Sequence, residues 1–180
     1  MQGHELTRRI PTFLIAAVLC LAPLEAANVP RPSPEYAIQL SKKKQLLLSQ
    51  YRGKVVVLMF FLTTCPHCQL MAQFIERLNK EYGPRGFQPL AVAFNPNADV
   101  LVPDFIKTFG VTFPVGYDQR APVYAYLEHS PSQRMLVPIL VFIDRQRVIR
   151  GQYFGGDPFL GEPVKQKNIR GMIVRLMAER

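Results

Sequence analysis

Apolar and polar positions along the chain alternate between a strand rhythm and a helix rhythm. Val55 to Leu62 (VVVLMFFL) is an unbroken apolar run, mostly β-branched or aromatic. A strand buried on both faces has this pattern, and such strands belong to sheets covered by helices on both sides. Immediately beyond, Leu70, Met71, Phe74, Ile75 and Leu78 recur at the spacing of one helix face. Pro66 suits the first turn of that helix, where its missing N–H costs nothing, and Gly83-Pro84 ends it.

The same rhythm continues on either side. Tyr36 to Leu40 alternates as a short strand, and Ser41 to Lys54 follows as polar turn SKKK, apolar LLL and turn-like YRGK. Gln88 to Asn95 (QPLAVAFN) is the next strand, and Asp99 to Phe109 is a helix with Pro103 near its start. Thr112 to Tyr117 predicts a short extended piece and Pro122 to His129 a short helix. Ile139 to Asp144 and Val148 to Phe154 form a hairpin across Arg145-Gln146-Arg147. Ile169, Met172, Ile173 and Leu176 mark one face of a final helix. Strands alternating with helices, then a late hairpin, predict an α/β domain with a mixed sheet over residues 35–180.

Composition places the chain among globular proteins, with 48% hydrophobic and 19% charged residues in 180 positions. No window approaches the roughly 20 apolar residues of a membrane span. Residues 1–27 have the marks of a secretory signal: Arg8-Arg9, the apolar stretch Phe13 to Leu21, then Pro23 and the small pair Ala26-Ala27. Arg8-Arg9 could also be a twin-arginine element, although IPTF departs from that pattern. Cys20 could carry a lipid, although Leu19 before it is large. Residues 28–34 (NVPRPSP) hold three prolines and are expected to be an exposed linker.

Charge adds little. Removal of residues 1–26 takes Arg8 and Arg9 together with Glu5 and Glu25, so the net charge stays at +9. The basic residues are dispersed, only Lys42-Lys43-Lys44 forms a run, and no aromatic-and-basic motif for nucleic acid is present. A solvated surface and no nucleic-acid partner are expected.

Cysteine usage is more informative. Of three cysteines, Cys20 lies in the signal, which leaves Cys65 and Cys68. An exported protein works where disulfides persist. The Cys65–Cys68 pair closes too small a loop to staple a fold. Placed at a helix start after a buried strand, Cys65 meets unpaired backbone N–H groups and the positive end of the helix dipole. Both favour the thiolate, which is the nucleophile. Cys68, one turn in, is the resolving thiol that attacks a mixed disulfide on Cys65. Pro66 and His67 lie between them. His67 is either a cation beside the thiolate, which would make the disulfide more oxidising, or an exposed helix residue without a role.

Metal binding is the competing explanation. Zinc sites need about four ligands, and the only histidines are His4, His67 and His129, of which His4 leaves with the signal. No cofactor and no metal are expected. A copper-binding or copper-delivery role using both thiols and His129 is the alternative, since thiolate and imidazole suit copper.

On these residues the chain resembles the thioredoxin-like superfamily, in particular its TlpA/ResA-type extracytoplasmic branch of redoxin-domain thiol–disulfide oxidoreductases. The resemblance runs from about Pro34 to Arg180 and is carried by LSQYRGKVVVLMFFLTTCPHC, FPVGYD and VPILVFIDRQRVIRGQYFG. It implies a three-layer α/β/α sandwich, a cis-proline at Pro138 after Val137 facing the cysteines, and a substrate chain bound along Thr64, Val137 and Pro138. The tetrapeptide Cys-Pro-His-Cys is also that of oxidising DsbA-type proteins.

Three positions depart from the branch. Thr64 stands where Trp is usual, and Met59 and Met71 stand where related proteins place a buried acid that assists proton transfer to the resolving thiol. The direction of exchange is open: His67 favours an oxidant and the family branch a reductant. The expected partners are protein thiols or disulfides and a redox partner, met outside the cytoplasm by a monomer. An uncleaved or lipidated N-terminus would tether it to a membrane. A thiol peroxidase is a third class, but Leu58 and Leu62 occupy the Pro and Thr places of the peroxidatic P-x-x-x-T-x-x-C pattern.

Overall fold

A computed structural model describes residues 28–41 and 44–179. The expected signal over residues 1–27, with Arg8, Arg9 and Cys20, lies outside the described residues, as do Lys42 and Lys43. In chain order the elements are β1 (Arg31–Pro32), β2 (Ala37–Ser41), β3 (Lys44–Leu47), β4 (Val55–Phe61), α1 (Pro66–Tyr82), β5 (Phe87–Ala93) and α2 (Ala98–Phe109). Then come β6 (Val115–Tyr117), α3 (Arg120–Leu127), β7 (Ile139–Ile143), β8 (Val148–Tyr153) and α4 (Lys165–Ala178).

All eight strands join one sheet in the order β1-β8-β7-β4-β5-β6-β2-β3. β4 and β5 run parallel, as do β5 and β6, while β7 lies antiparallel to β4 on its other side. The unbroken apolar run thus occupies the middle of the sheet, where every residue of β4 is buried. Its side chains alternate between two cores. Val55, Val57, Met59 and Phe61 pack with α1, α2 and α4 on one face. Val56, Leu58 and Phe60 pack with α3 and the N-terminal segment on the other. Period-two alternation in a strand covered on both sides produces this three-layer α/β/α arrangement.

Sequence expectation and structure differ at four places. Residues 28–34, expected as an exposed linker, are exposed except at Arg31 and Ser33, which are buried, and β1 pairs with β8 at Arg31–Ile149 and Pro32–Val148. Arg31 donates to the Tyr126 carbonyl at 2.8 Å, and Ser33 Oγ meets Tyr126 Oη at 2.9 Å. Proline is tolerated here because the strand is a sheet edge. Lys44–Leu47, expected as turn and apolar connection, forms a second edge strand against β2, followed by a 3₁₀ turn over Leu48–Tyr51. Thr112 to Tyr117 contracts to three strand residues. Leu70 is 59% exposed, because the buried stripe of α1 runs through Met71, Phe74, Ile75 and Leu78.

Candidate active site

Strand β4 delivers the chain to the motif. Beyond Phe61 the backbone turns at Leu62–Cys65, closed by a hydrogen bond from Cys65 N–H to the Leu62 carbonyl at 3.1 Å. Cys65 is the N-cap of α1, in extended conformation, with Pro66 at the first helical position. Its sulfur takes the place of a capping oxygen: the Cys68 backbone N–H donates to Cys65 Sγ at 3.4 Å. That orphan donor would otherwise lack a partner, and it bonds better to a sulfur carrying negative charge.

The two thiols differ in surroundings. Cys65 is half-buried and Cys68 is completely buried, and neither is in a disulfide. Burial, with Cys65 as a hydrogen-bonding neighbour, pushes the Cys68 thiol well above its ordinary range. The outer sulfur is thus partly exposed, while burial favours the neutral thiol at the inner one. Thr64, Pro66 and His67 surround Cys65 on the exposed surface. Met59 and Met71 are buried, in line with the apolar setting of Cys68.

The Val137–Pro138 bond is cis, with Val137 half-buried and Pro138 buried. His67 and Met71 of α1 share the walls of a cavity of about 250 Å³ with Val137, Pro138, Gly155 and Lys165. Thr64, the third expected binding residue, is not on its wall. Lys165 bridges to Glu162 at 2.5 Å on the rim. His129 lies apart from this arrangement, its ring between Tyr124 and Phe154 at centroid distances of 5.6 and 5.0 Å. Among the described residues no three His, Cys, Asp or Glu side chains are grouped to hold a metal ion, so the copper alternative lacks its third ligand.

Several residues of the site escaped the sequence reading. Asn95 Oδ1 accepts from the Thr63 N–H at 2.9 Å and from Thr63 Oγ1 at 3.3 Å, and Gln69 Nε2 donates to the Thr63 carbonyl at 3.0 Å. Gly155 N–H donates to the Leu136 carbonyl at 2.9 Å, holding the segment before Pro138. Asn95 had one visible signal: it is the polar residue closing an otherwise apolar strand.

A central β-α-β unit with an N-capping cysteine and a buried partner one turn in defines a thioredoxin-like thiol–disulfide oxidoreductase. The chain belongs to the Redoxin family, whose model matches residues 27–165. It is similar to the thiol–disulfide oxidoreductase ResA of Geobacillus kaustophilus (strain HTA426), at 32% identity over 125 residues, covering 69% of this chain and 68% of that protein. ResA of Bacillus thuringiensis (strain Al Hakam) is 23% identical over 131 residues, covering 73% and 72%. Among solved structures, a thiol:disulfide interchange protein of the thioredoxin family from Chlorobium tepidum TLS aligns with a TM-score of 0.68 and 21% identity, covering 85% of this chain and 100% of that one.

Proposed function

We propose that this protein exchanges disulfides with protein substrates outside the cytoplasm, using Cys65 as the attacking sulfur and Cys68 as the resolving one. The observation that carries the proposal is the asymmetry of the pair, an accessible N-capping sulfur above a sealed one. In the reducing direction Cys65 thiolate attacks a substrate disulfide, forming a mixed disulfide and releasing one substrate thiolate. Cys68 gives up its proton and attacks Cys65 Sγ. The Cys65–Cys68 disulfide forms, the second substrate thiolate leaves, and two electrons have passed to the substrate. The oxidising direction is the same sequence reversed.

Extracytoplasmic work is supported by the signal-like pattern of residues 1–27 and by a mature chain whose only cysteines are the reactive pair. No described helix is long and apolar enough to cross a membrane. Val137 and Pro138 beside the first turn of α1 form the proposed seat of the substrate chain, with Thr64 on the exposed side of Cys65.

The test uses a disulfide-bonded reporter protein and the reduced enzyme. Wild type cleaves the reporter, Cys65→Ser forms no adduct, and Cys68→Ser accumulates a mixed disulfide through Cys65. A Cys65→Ser protein that still exchanges would overturn the assignment. Equilibration with glutathione buffers then sets the direction: a potential near roughly −120 mV marks an oxidant in which His67 acts, and one near roughly −270 mV a reductant.

A further inference from the structure

The loop that carries Cys65 is held from outside the motif. Thr63 is 7% exposed, and its N–H lies beyond the last backbone bond between β4 and β5, from Phe94 N–H to the Phe61 carbonyl. With no strand partner left, that N–H needs another acceptor or costs the full desolvation of a buried donor. Asn95 supplies it with one oxygen, which takes both the N–H and the hydroxyl of Thr63. The amide is oriented by its other end, where Nδ2 donates to the Pro96 carbonyl at 3.0 Å. On the opposite side of Thr63, Gln69 takes the carbonyl. Both peptide groups of Thr63 are thus fixed by side chains from two other elements, two residues before Cys65.

We infer that Asn95 is a positioning residue for the dithiol: through Thr63 it holds the Leu62–Cys65 turn so that Cys65 Sγ stays over the first N–H groups of α1. Loss of the carboxamide oxygen leaves the Thr63 N–H to seek water, and the turn that swings with it carries Cys65 away from the Cys68 N–H. The inference rests on the thiol–disulfide function proposed above. It concerns how the sulfur is presented rather than which sulfur reacts.

Two measurements on the full-length reduced protein test it: the equilibrium constant with reduced and oxidised glutathione, and the rate of Cys65 alkylation by iodoacetamide across pH. Asn95→Ala is expected to shift the equilibrium constant by about ten-fold and to lower the high-pH plateau of alkylation, the scale of one lost hydrogen bond. Asn95→Asp keeps the acceptor; it moves the pH at which the plateau is reached but restores its height. Asn79→Ala, which removes an amide of α1 that donates to Thr112 Oγ1 at 3.3 Å, leaves both readouts at wild type. If Asn95→Ala does not fold, Thr63→Val removes only the hydroxyl leg and is expected to shift the equilibrium about three-fold in the same sense. Wild-type values in a folded Asn95→Ala or in Thr63→Val, or equal losses in Asn95→Ala and Asn95→Asp, would overturn it. An unreactive wild type would overturn the oxidoreductase assignment and this inference together.

Discussion

A β-carbon on Gly155 would stand 2.6 Å from the Val137 carbonyl oxygen and 2.8 Å from its carbon. These are backbone atoms, and the Gly155 N–H is bonded to the preceding carbonyl of Leu136, so neither chain can yield by rotating a side chain. The segment that carries Pro138 to the cavity beside His67 is therefore shaped by the absence of a side chain on β8's continuation. Gly155→Ala is expected to cost about 1–3 kcal/mol, the range for forced overpacking, and to slow exchange with the reporter more than it lowers the melting temperature would suggest. Denaturant unfolding together with single-turnover exchange rates checks both parts. Unchanged rates in a destabilised protein would show that the displaced segment does not bind substrate.

Cys68 makes stability depend on alkaline pH. Its folded-state affinity for the proton is raised, chiefly by burial, above the ordinary value of 9.0. Below that value both states are protonated and the thiol contributes no pH dependence. Above it the unfolded chain loses the proton that the folded chain keeps, so stability falls as pH rises, by at most about 1.4 kcal/mol per unit. Cys65→Ser should therefore lose stability relative to Cys65→Ser/Cys68→Ala between pH 8 and pH 10, roughly the window around an ordinary thiol. Tyr36 and Tyr126, whose phenols burial also pushes up, are present in both proteins and cancel. Parallel urea titrations at several pH values read the difference.

How much of this was legible beforehand follows from where each contact lies in the chain. β4, α1 and the β7–β8 hairpin were readable because their partners are period and composition, properties of contiguous residues. The cysteine pair was readable for the same reason: cap, proline and resolving thiol lie within one helical turn. Asn95 and Gly155 were not, because Asn95 reaches Thr63 across 32 residues and Gly155 matters only for what it approaches. Residues 28–34 misled because proline and polar content mark both linkers and edge strands. The pairing of Arg31 and Pro32 with β8 and the contacts of Arg31 and Ser33 with Tyr126 distinguish the two.

The N-terminal segment should behave as part of the domain. Arg31 is buried, donating to the Tyr126 carbonyl and to Gln152 Oε1 at 3.2 Å, and pairs with Glu128 at 3.3 Å. Arg31→Met keeps much of the apolar stem but leaves the Tyr126 carbonyl unpaired, a loss of about 1–3 kcal/mol. A domain beginning at residue 35 should lose at least as much. Thermal melts of the two proteins against wild type decide it, and a truncated protein as stable as wild type would restore the linker.

Glu76 provides a stability test away from the cysteines. It is 4% exposed, and its carboxylate accepts the Thr112 N–H and Thr112 Oγ1, each at 2.9 Å, tying α1 to the chain that enters β6. Glu76→Ala strands a partly buried backbone donor and is expected to cost about 2 kcal/mol. Glu76→Gln keeps one acceptor and should cost less. Urea midpoints measure both, and the glutathione equilibrium of either variant should match wild type.

Position within the sheet has a last consequence. The strand that ends at the cysteines has three strands on one side and four on the other. Local opening begins at the rims of a structure, where backbone bonds are few and wet. Here the rims are β1 and β3, and either can peel away while β4, β5 and β7 stay paired. Amides of β4 should then be among the slowest to exchange with deuterium. The strand that leads to the cysteines is thereby set apart from opening at either rim.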